Sequence, residues 1–378
     1  MKIAMFTDTY EPQVNGVVKS IKDFSNQLRK SGHEVYIFSP ESPQFSALSR
    51  FVRSMKSIPF IKYPGYRIAI PYSIFIGPIF RKIKFDVVHV HTPFSLGVAG
   101  MVLAKYHKIP LVGTFHTLMP EYVHYYIERL KRLGYVRHLT GKAMWKYCSW
   151  FYNRCDYVIA PTPEIKRLLA KKGFRKDIHI VPTGVKIRKM NNSKTSLKKK
   201  YGLNSHRVIL HIGRITKEKN IIVILDALKE LMKKDKKIKF VIASDGPYRS
   251  DLEDYTEKSG LSENVVFTGY ISPRRLYELY QLSDVFVMAS KTETQGLVLL
   301  EAAMNSVPIV VMNYPVISNF VRKNKVGLIA NENNFSNTVY KALNNKSLRK
   351  KFNKNGERML CNYDIKACSK KLLDVYSI

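Results

Sequence analysis

Two carboxylates and a glycine lie close together between residues 290 and 301. Glu293 follows an apolar run typical of a buried strand, and Glu301 comes shortly after Gly296. The loop carboxylate can accept hydrogen bonds from sugar hydroxyls, and the second can hold the cis-diol of a ribose. A helix that begins at Gly296 and Leu297 offers backbone N–H groups and the positive end of its dipole to a phosphate. A charged loop followed by one helical glutamate is the alternative interpretation.

A basic cluster follows another apolar run, at residues 208–212. Gly213 permits a turn there, and Arg214 and Lys219 come shortly after it. A diphosphate leaving group is stabilised by such a pair, because a guanidinium makes two parallel contacts and an ammonium supplies a point charge. In so basic a chain, a loop of solvated cations is the alternative.

Two further candidates lie in the first half of the chain. Gly16 ends a loop and opens a helix, where the backbone can approach a sugar or a phosphate. His116 comes just after an apolar run at 111–114, near the sheet edge at which ligands of parallel sheets bind. A single glycine or histidine is more often structural, so position alone makes these residues candidates.

The elements that must position these residues follow the pattern of doubly wound α/β domains, in which buried strands alternate with amphipathic helices. In the first half we predict strands at 2–6, 35–38, 87–90, 111–114 and 157–160, and helices at 17–30 and 96–107. In the second half we predict strands at 208–212, 240–243, 265–268, 285–289 and 309–312, and a polar helical stretch from about residue 337.

A polar segment at 185–200 has the composition of an exposed linker between the two halves. The sequence therefore predicts two Rossmann-like α/β domains, at 1–187 and 188–360, that face each other across a cleft. A terminal helix at 361–378 is expected to pack back toward the first domain.

Composition sets further limits. The chain has 378 residues, 45% of them hydrophobic and 24% charged, as in an ordinary globular protein. No apolar run approaches the ~20 residues that span a bilayer, and the first residues are typical of a strand rather than a signal peptide. The four cysteines have no metal or redox spacing and are expected to be free thiols. No Asp-x-Asp motif occurs, so no metal is expected, and the predicted location is the cytoplasm.

The net charge of +34 is shared by both halves of the chain and must attract a polyanion, either nucleic acid or an anionic membrane. Apolar and aromatic residues adjoin Lys and Arg within 68–84 and 124–154, a pattern that suits a headgroup layer. The alternative is a core of aromatics beneath a solvated face. The candidate residues on the membrane and acceptor side are Phe75, Phe80, Arg81, Lys82, Lys84, Trp145 and Trp150. A nucleic-acid-binding protein is the competing class, proposed by charge alone.

Together these patterns resemble the family 4 retaining glycosyltransferases, over residues 2–376. The motifs that carry the resemblance are Asn15-Gly16-Val17-Val18, Gly113-Thr-Phe-His116, Gly213-Arg214 with Lys219, Ser244-Asp-Gly-Pro247, Phe267-Thr-Gly-Tyr270 and Glu293 with Glu301. The resemblance implies the GT-B fold, a nucleotide sugar held by the second domain, and retention of the anomeric configuration. The chain departs from the family at Gln295, where an aromatic residue is usual.

The resemblance also implies roles for single residues. Arg214 and Lys219 would stabilise the diphosphate, Glu293 the donor sugar and Glu301 the ribose, while His116 would contact the reacting sugar and Gly16 would line the phosphate pocket. No dedicated nucleophile is implied, because the acceptor attacks on the face from which the leaving group departs.

Two stretches, 114–126 and 291–298, look like the diacylglycerol glucosyltransferases of membrane glycolipid synthesis. This likeness implies UDP-glucose as co-substrate, no further cofactor, and 1,2-diacylglycerol as acceptor. It also implies a peripheral enzyme on the inner face of the cell membrane, with an anionic lipid surface and no nucleic acid as partner. Phosphatidylinositol, polysaccharide precursors and soluble sugars remain alternative acceptors.

Overall fold

The computed structural model describes residues 1–42, 50–60, 67–70, 73–121, 134–186 and 193–378, with the backbone alone at 73–75 and 134–138. The chain divides into two units, Met1–Lys186 with Asp364–Ile378, and Ile187–Tyr363. The boundaries expected from the sequence were 187/188 and 360/361. Within the described ranges, no helix is long and apolar enough to cross a membrane.

Each unit is built on a parallel sheet. The strands of the first unit are β1 (Lys2–Phe6), β2 (Glu34–Pro40), β3 (Val52–Met55), β4 (Ser57–Pro59), β5 (Arg67–Ala69), β6 (Val87–Val90), β7 (Leu111–Thr114), β8 (Tyr157–Ala160) and β9 (Ile178–Ile180). Those of the second are β10 (Arg207–Ile212), β11 (Ile238–Ala243), β12 (Val265–Phe267), β13 (Val285–Met288), β14 (Ile309–Met312) and β15 (Gly327–Ala330).

The strand orders are β3-β2-β1-β6-β7-β8-β9 and β12-β11-β10-β13-β14-β15, and β4 pairs separately with β5 in an antiparallel ribbon. Every neighbouring pair in the two large sheets is parallel. The second sheet has the order of a dinucleotide-binding Rossmann sheet, which reverses between β10 and β13. In the first sheet, the corresponding reversal lies between β1 and β6.

The helices of the first unit are α1 (Gly16–Lys30), α2 (Ser73–Ile83), α3 (Ser95–Tyr106), α4 (Gly134–Tyr152), α5 (Pro163–Lys171) and the terminal α14 (Ile365–Tyr376). Those of the second are α6 (Lys194–Lys200), α7 (Ile221–Lys234), α8 (Arg249–Lys258), α9 (Pro273–Leu282), α10 (Leu297–Met304), α11 (Pro315–Asn324), α12 (Phe335–Asn344) and α13 (Lys346–Tyr363). Short 3₁₀ turns cover Lys217–Lys219 and Glu332–Asn334.

The last helix joins the core of the first unit. Asp364 caps it by accepting the backbone N–H of Lys366 at 2.8 Å. Its apolar face, including Leu372 and Val375, lies in the same buried cluster as Ile21 of α1. A Cβ on Gly184 would meet the Cα of Ile365 at 2.6 Å, so the chain before the second unit touches the start of α14.

The predicted strands agree with the structure to within two residues at each end, but β3, β4, β5, β9 and β15 were not predicted. The segment at 185–200 is not an exposed linker throughout, since α6 occupies its second half. Leu197 of α6 is buried, and Lys194 and Lys198 each approach Asp284 at 2.7 Å. The contacts of α6 with Asp284 were not predicted, because a lysine-rich segment is typical of an exposed linker. Residues 187–192 lie outside the described ranges.

We expect Leu372→Ala to destabilise the first unit by about 2–5 kcal/mol, because it empties a buried site between α14 and α1. Native-state hydrogen exchange at the amides of β1 and β2 measures the effect. Met359→Ala in α13 is the matched control, since Met359 is also buried but lies in the second unit. Unchanged exchange at β1 and β2 in Leu372→Ala would contradict the assignment of α14 to the first unit.

Candidate active site

The loop after β10 is clamped to the loop after β11. The backbone N–H of Ile215 donates to the carbonyl of Asp245 at 3.0 Å, and that of Tyr248 donates to the carbonyl of Ile215 at 3.1 Å. Gly246 lies so close that a Cβ would be 2.2 Å from the carbonyl oxygen of Ile215. Arg214, next to Ile215, is therefore positioned by two interlocked loops.

Ser244 enters this clamp with an unusual backbone. Its φ is +132°, a value that residues with a side chain rarely adopt, and it forms an isolated bridge to Gly269. Such a conformation costs of the order of 1–3 kcal/mol and persists only where the surroundings impose it. Here the interlocked loops impose it.

Lys219 and Glu293 meet at the edge where the strand order reverses. Lys219 ends the 3₁₀ turn that follows β10, and Glu293 lies in the loop that follows β13. The Nζ of Lys219 is 2.5 Å from Oε1 of Glu293, and both side chains are largely buried. The two loops are further joined by the N–H of Lys291, which donates to the carbonyl of Glu218 at 3.0 Å. The structure thus brings together a cation and a carboxylate that the sequence proposed for the diphosphate and the sugar.

Gly296 and Leu297 form the predicted helix start. Gly296 is the N-terminal cap of α10 with a φ of +74°, in the left-handed region that favours glycine. The first N–H groups of a helix have no partners within it. The turn at Gly296 therefore gives α10 an N-terminus beside the loop of Glu293, where an anion is stabilised.

Glu301 lies one turn into α10 and is buried. The hydroxyl of Tyr280, a buried residue of α9, donates to Oε2 of Glu301 at 2.9 Å. The carboxylate is therefore held in one orientation by a neighbouring helix. Tyr280 was not predicted from the sequence, where it is one of two tyrosines in an amphipathic helix.

In the first unit, His116 belongs to a row of three histidines. Its Nε2 is 3.0 Å from Nδ1 of His91, whose ring is tilted against that of His89 with 4.0 Å between the centroids. His89 lies 2.6 Å from both the Thr114 hydroxyl and the Tyr376 hydroxyl of α14. Burial lowers the pKa of His116 to about 4, so its ring is neutral at pH 7. Only His116 was predicted, although the alternation His89-Val-His91 indicates one face of a strand.

Gly16 is the first residue of α1, as predicted. The cap is Asn15, whose Oδ1 accepts the N–H of Val18 at 2.9 Å. In the same loop, the buried Asp8 accepts the N–H of Leu96 at 2.9 Å and the hydroxyl of Ser95 at 2.7 Å. Asp8 thereby ties the loop after β1 to the start of α3, a role that no local pattern indicated.

The predicted surface of aromatics and cations needs a correction. Phe80 is 2% exposed and belongs to the core, where its ring packs against Phe6 and Phe85. It faces inward because it lies one turn after Ile76, which is 1% exposed. The cations Arg81, Lys82 and Lys84 are exposed, as expected. The side chain of Phe75 and residues 122–133 lie outside the described part of the chain.

The two tryptophans differ. Trp145 is half-buried, stacked on Phe115 with Lys172 over its ring. Trp150 is 42% exposed and carries the guanidinium of Arg154 at 4.4 Å. Of the two, only Trp150 therefore offers a large apolar group to a partner.

An apolar stripe that the sequence did not predict lies on α3. Phe94, Val98, Val102 and Tyr106 recur at every fourth position, and Val102 and Tyr106 are 57% and 81% exposed. At one end, the Tyr147 hydroxyl of α4 donates to the carbonyl of Pro93. At the other, His107 lies 5.5 Å from the ring of Phe80, beside the cations of α2. We call these four residues the α3 stripe.

The four cysteines are free thiols. Cys148, Cys155 and Cys368 are buried and Cys361 is exposed. Burial raises the pKa of Cys148 and of Cys155 to about 12, so neither is a thiolate at pH 7. Within the described part of the chain, no group of three or more His, Cys, Asp and Glu side chains is arranged to hold a metal ion.

Comparison with known proteins identifies the class. Residues 14–189 match the family described as Glycosyltransferase Family 4, and residues 193–359 match Glycosyl transferases group 1. The alpha-monoglucosyldiacylglycerol synthase of Streptococcus pneumoniae is 31% identical over 353 residues, 91% of this chain and 78% of that protein. The synthase of the same name from Acholeplasma laidlawii is 31% identical over 348 residues, 88% of this chain and 85% of that protein.

Among solved structures, Alr3699/HepE of Anabaena in complex with UDP-glucose has a TM-score of 0.79 at 15% identity, over 100% of this chain and 99% of that one. This likeness confirms the predicted GT-B class, with a parallel-sheet α/β fold in each unit. The two family matches and the two synthases at 31% identity show that the chain is a glycosyltransferase. It belongs to glycosyltransferase family 4.

The strain at Ser244 predicts an unusual stability change. Ser244→Gly should raise the free energy of unfolding by about 1 kcal/mol, because the relief of strain exceeds the entropy cost of a glycine. Ser244→Ala keeps the strained φ and should not gain that stability. Guanidinium unfolding of the three proteins measures the difference. Equal stabilities for the Gly and Ala variants would show that the backbone at Ser244 is not strained.

Proposed function

We propose that the chain transfers glucose from UDP-glucose to 1,2-diacylglycerol at an anionic membrane surface, with retention of configuration. The observation that carries the proposal is the contact of Lys219 with Glu293 beside the start of α10. Lys219 is a cation suited to a diphosphate, and Glu293 is a carboxylate suited to sugar hydroxyls. The two side chains are hydrogen-bonded to each other. The names of the two synthases support glucose and diacylglycerol, and the HepE complex supports UDP-glucose.

In this proposal the second unit holds the donor. Arg214 and Lys219 bind the diphosphate together with the N–H groups at Gly296 and Leu297, and Glu293 accepts from the hexose hydroxyls. Glu301, oriented by Tyr280, accepts from the ribose. Each contact is a charge-assisted hydrogen bond, the stronger class of such bonds.

The reaction then needs no protein nucleophile. The bond between the anomeric carbon and the diphosphate oxygen breaks, and the acceptor oxygen bonds to that carbon on the same face. The acceptor proton passes to the departing phosphate oxygen, which leaves on UDP. The cations of the second unit stabilise the negative charge that develops on that oxygen. In the first unit, the neutral ring of His116 can hydrogen-bond a hydroxyl of the reacting sugar without adding charge.

We expect Arg214→Ala and Lys219→Ala each to lower turnover by about 10²-fold or more, because each removes a charge at the leaving group. The assay uses radiolabelled UDP-glucose with diacylglycerol vesicles, with other nucleotide sugars and soluble sugars in parallel. Lys217→Ala is the matched control, since Lys217 lies in the same 3₁₀ turn and its ammonium stands over the ring of Tyr248. Near-normal turnover in both test variants would contradict the placement of the phosphate site.

The acceptor is proposed to reach the enzyme from a membrane that contacts the first unit. The α3 stripe supplies exposed apolar groups, and Arg81, Lys82 and Lys84 lie near its C-terminal end. Apolar side chains flanked by cations suit the headgroup region of an anionic leaflet. The net charge of +34 has the sign that such a leaflet requires. We place this surface on the inner face of the cell membrane.

Loss of the three cations of α2 should weaken vesicle binding by roughly 10²-fold at low salt, because each Lys or Arg near an anionic surface contributes about 1 kcal/mol. The variant changes Arg81, Lys82 and Lys84 to Ser, and binding is measured by co-sedimentation with vesicles of phosphatidylglycerol and phosphatidylcholine. Val102→Ser with Tyr106→Ser should remove a part of the binding that salt does not abolish.

The control removes the same charge elsewhere. Lys350, Lys351 and Lys354 are exposed on α13 in the second unit, and their change to Ser should leave most of the binding intact. Equal losses in both triple variants would mean that net charge, and not this surface, governs binding. Tight and saturable binding of RNA, with no preference for anionic vesicles, would favour the nucleic-acid alternative.

A further inference from the structure

His211 is a buried histidine next to the donor site, and the mechanism proposed above does not use it. It is the penultimate residue of β10, and none of its surface is exposed. Its Nδ1 lies 3.1 Å from the carbonyl oxygen of Val287 in the neighbouring strand β13. A carbonyl oxygen can only accept, so Nδ1 carries the hydrogen and donates it. In the neutral ring, Nε2 is then a bare acceptor.

That acceptor has no hydrogen-bond partner within the described part of the chain. Burial lowers the pKa of His211 to about 4, so the ring is neutral at pH 7 and Nε2 carries no proton. A buried polar atom without a partner costs about 1–3 kcal/mol. A donor group that reaches Nε2 would therefore recover this free energy.

The position of Nε2 indicates which group that is. Nε2 is 3.7 Å from the point where a Cβ on Gly213 would stand, and the Cε of Lys219 is 3.9 Å from the same point. The missing side chain of Gly213 leaves this corner open. The charges of Lys219 and Glu293 both act on the ring, which also places it beside the ion pair.

We propose that His211 is a positioning residue for Lys219. When the hexose hydroxyls engage Glu293, the ammonium of Lys219 hydrogen-bonds to Nε2 of His211 and stays directed at the diphosphate. A neutral acceptor orients the ammonium and leaves its positive charge in place. A carboxylate also orients the ammonium, but its negative charge offsets the positive one. The full charge then acts on the leaving group. This inference rests on the proposed function, because it presumes a donor with both a sugar and a diphosphate.

Two substitutions separate the nitrogen atoms of the ring. His211→Asn keeps an N–H near Nδ1 and removes the acceptor at Nε2, whereas His211→Gln brings an amide oxygen near Nε2. We expect His211→Asn to lower turnover about tenfold, and His211→Gln to recover most of that loss. In a Lys219→Met background, His211→Asn should cause no further loss, since its effect passes through Lys219.

The measurements are kcat and KM for the donor, UDP affinity by calorimetry, and Tm for each variant. His206→Asn is the matched control, because His206 also has a buried ring nitrogen with no partner among the described residues but immediately precedes β10, at the end far from His211. A folded His211→Asn variant with wild-type turnover would overturn the inference. So would an equal loss in the Lys219→Met background, which would show a purely structural role.

A failure of the proposed function gives a different result, namely no transfer by the wild type from any nucleotide sugar. UDP calorimetry still tests His211 in that case. Weaker UDP binding by His211→Asn that disappears in the Lys219→Met background supports the positioning role. Unchanged binding in both backgrounds contradicts it.

Discussion

The reversal of strand order between β10 and β13 is the constraint on which the proposed donor site depends. Chain leaving β10 returns through α7 to β11 on one side, and chain leaving β13 returns through α10 to β14 on the other. The two strands pair directly, with Ile209 opposite Val285, so their carboxyl ends lie level. Because α7 and α10 lead away in opposite directions, the loops after β10 and β13 lie side by side at this edge of the sheet. Lys219 and Glu293, 74 positions apart, meet there for that reason.

Sequence patterns predicted the central strands well, because a strand buried on both faces is a continuous apolar run, as in β13 and β14. The short edge strands β3, β9 and β15 are only partly buried and lack that signal. The types of the site residues were predictable because glycines, cations and acids cluster after strands. Their partners were not, since Tyr280, His211 and Asp8 act through contacts set by the fold.

The surface proposed to contact a membrane shows which features of a helix its composition does not determine. In α2 the apolar residues directly precede the basic ones, and composition alone did not assign Phe80 to the core and Arg81 to the surface. In α3 the difficulty is a different one, because the helix is apolar on nearly all sides. Leu96 and Met101 are buried in the unit, while Val102 and Tyr106 are exposed on the other side. A helix with two apolar faces needs a second apolar contact, and only the three-dimensional structure shows which face lacks one.

The contact between Lys219 and Glu293 also bears on selectivity in so basic a protein. A site lined by cations alone would bind phosphate from any source, including nucleic acid and lipid headgroups. Glu293 is already in contact with Lys219. A phosphate without a sugar would therefore have to displace this carboxylate from the ammonium, and the displaced carboxylate would stay buried without its cation. Under the proposed function, a nucleotide sugar would bring hydroxyls for Glu293 together with a diphosphate for Lys219, and it would so satisfy both groups. Selectivity of this kind comes from the penalty imposed on the wrong ligand rather than from a stronger contact with the right one.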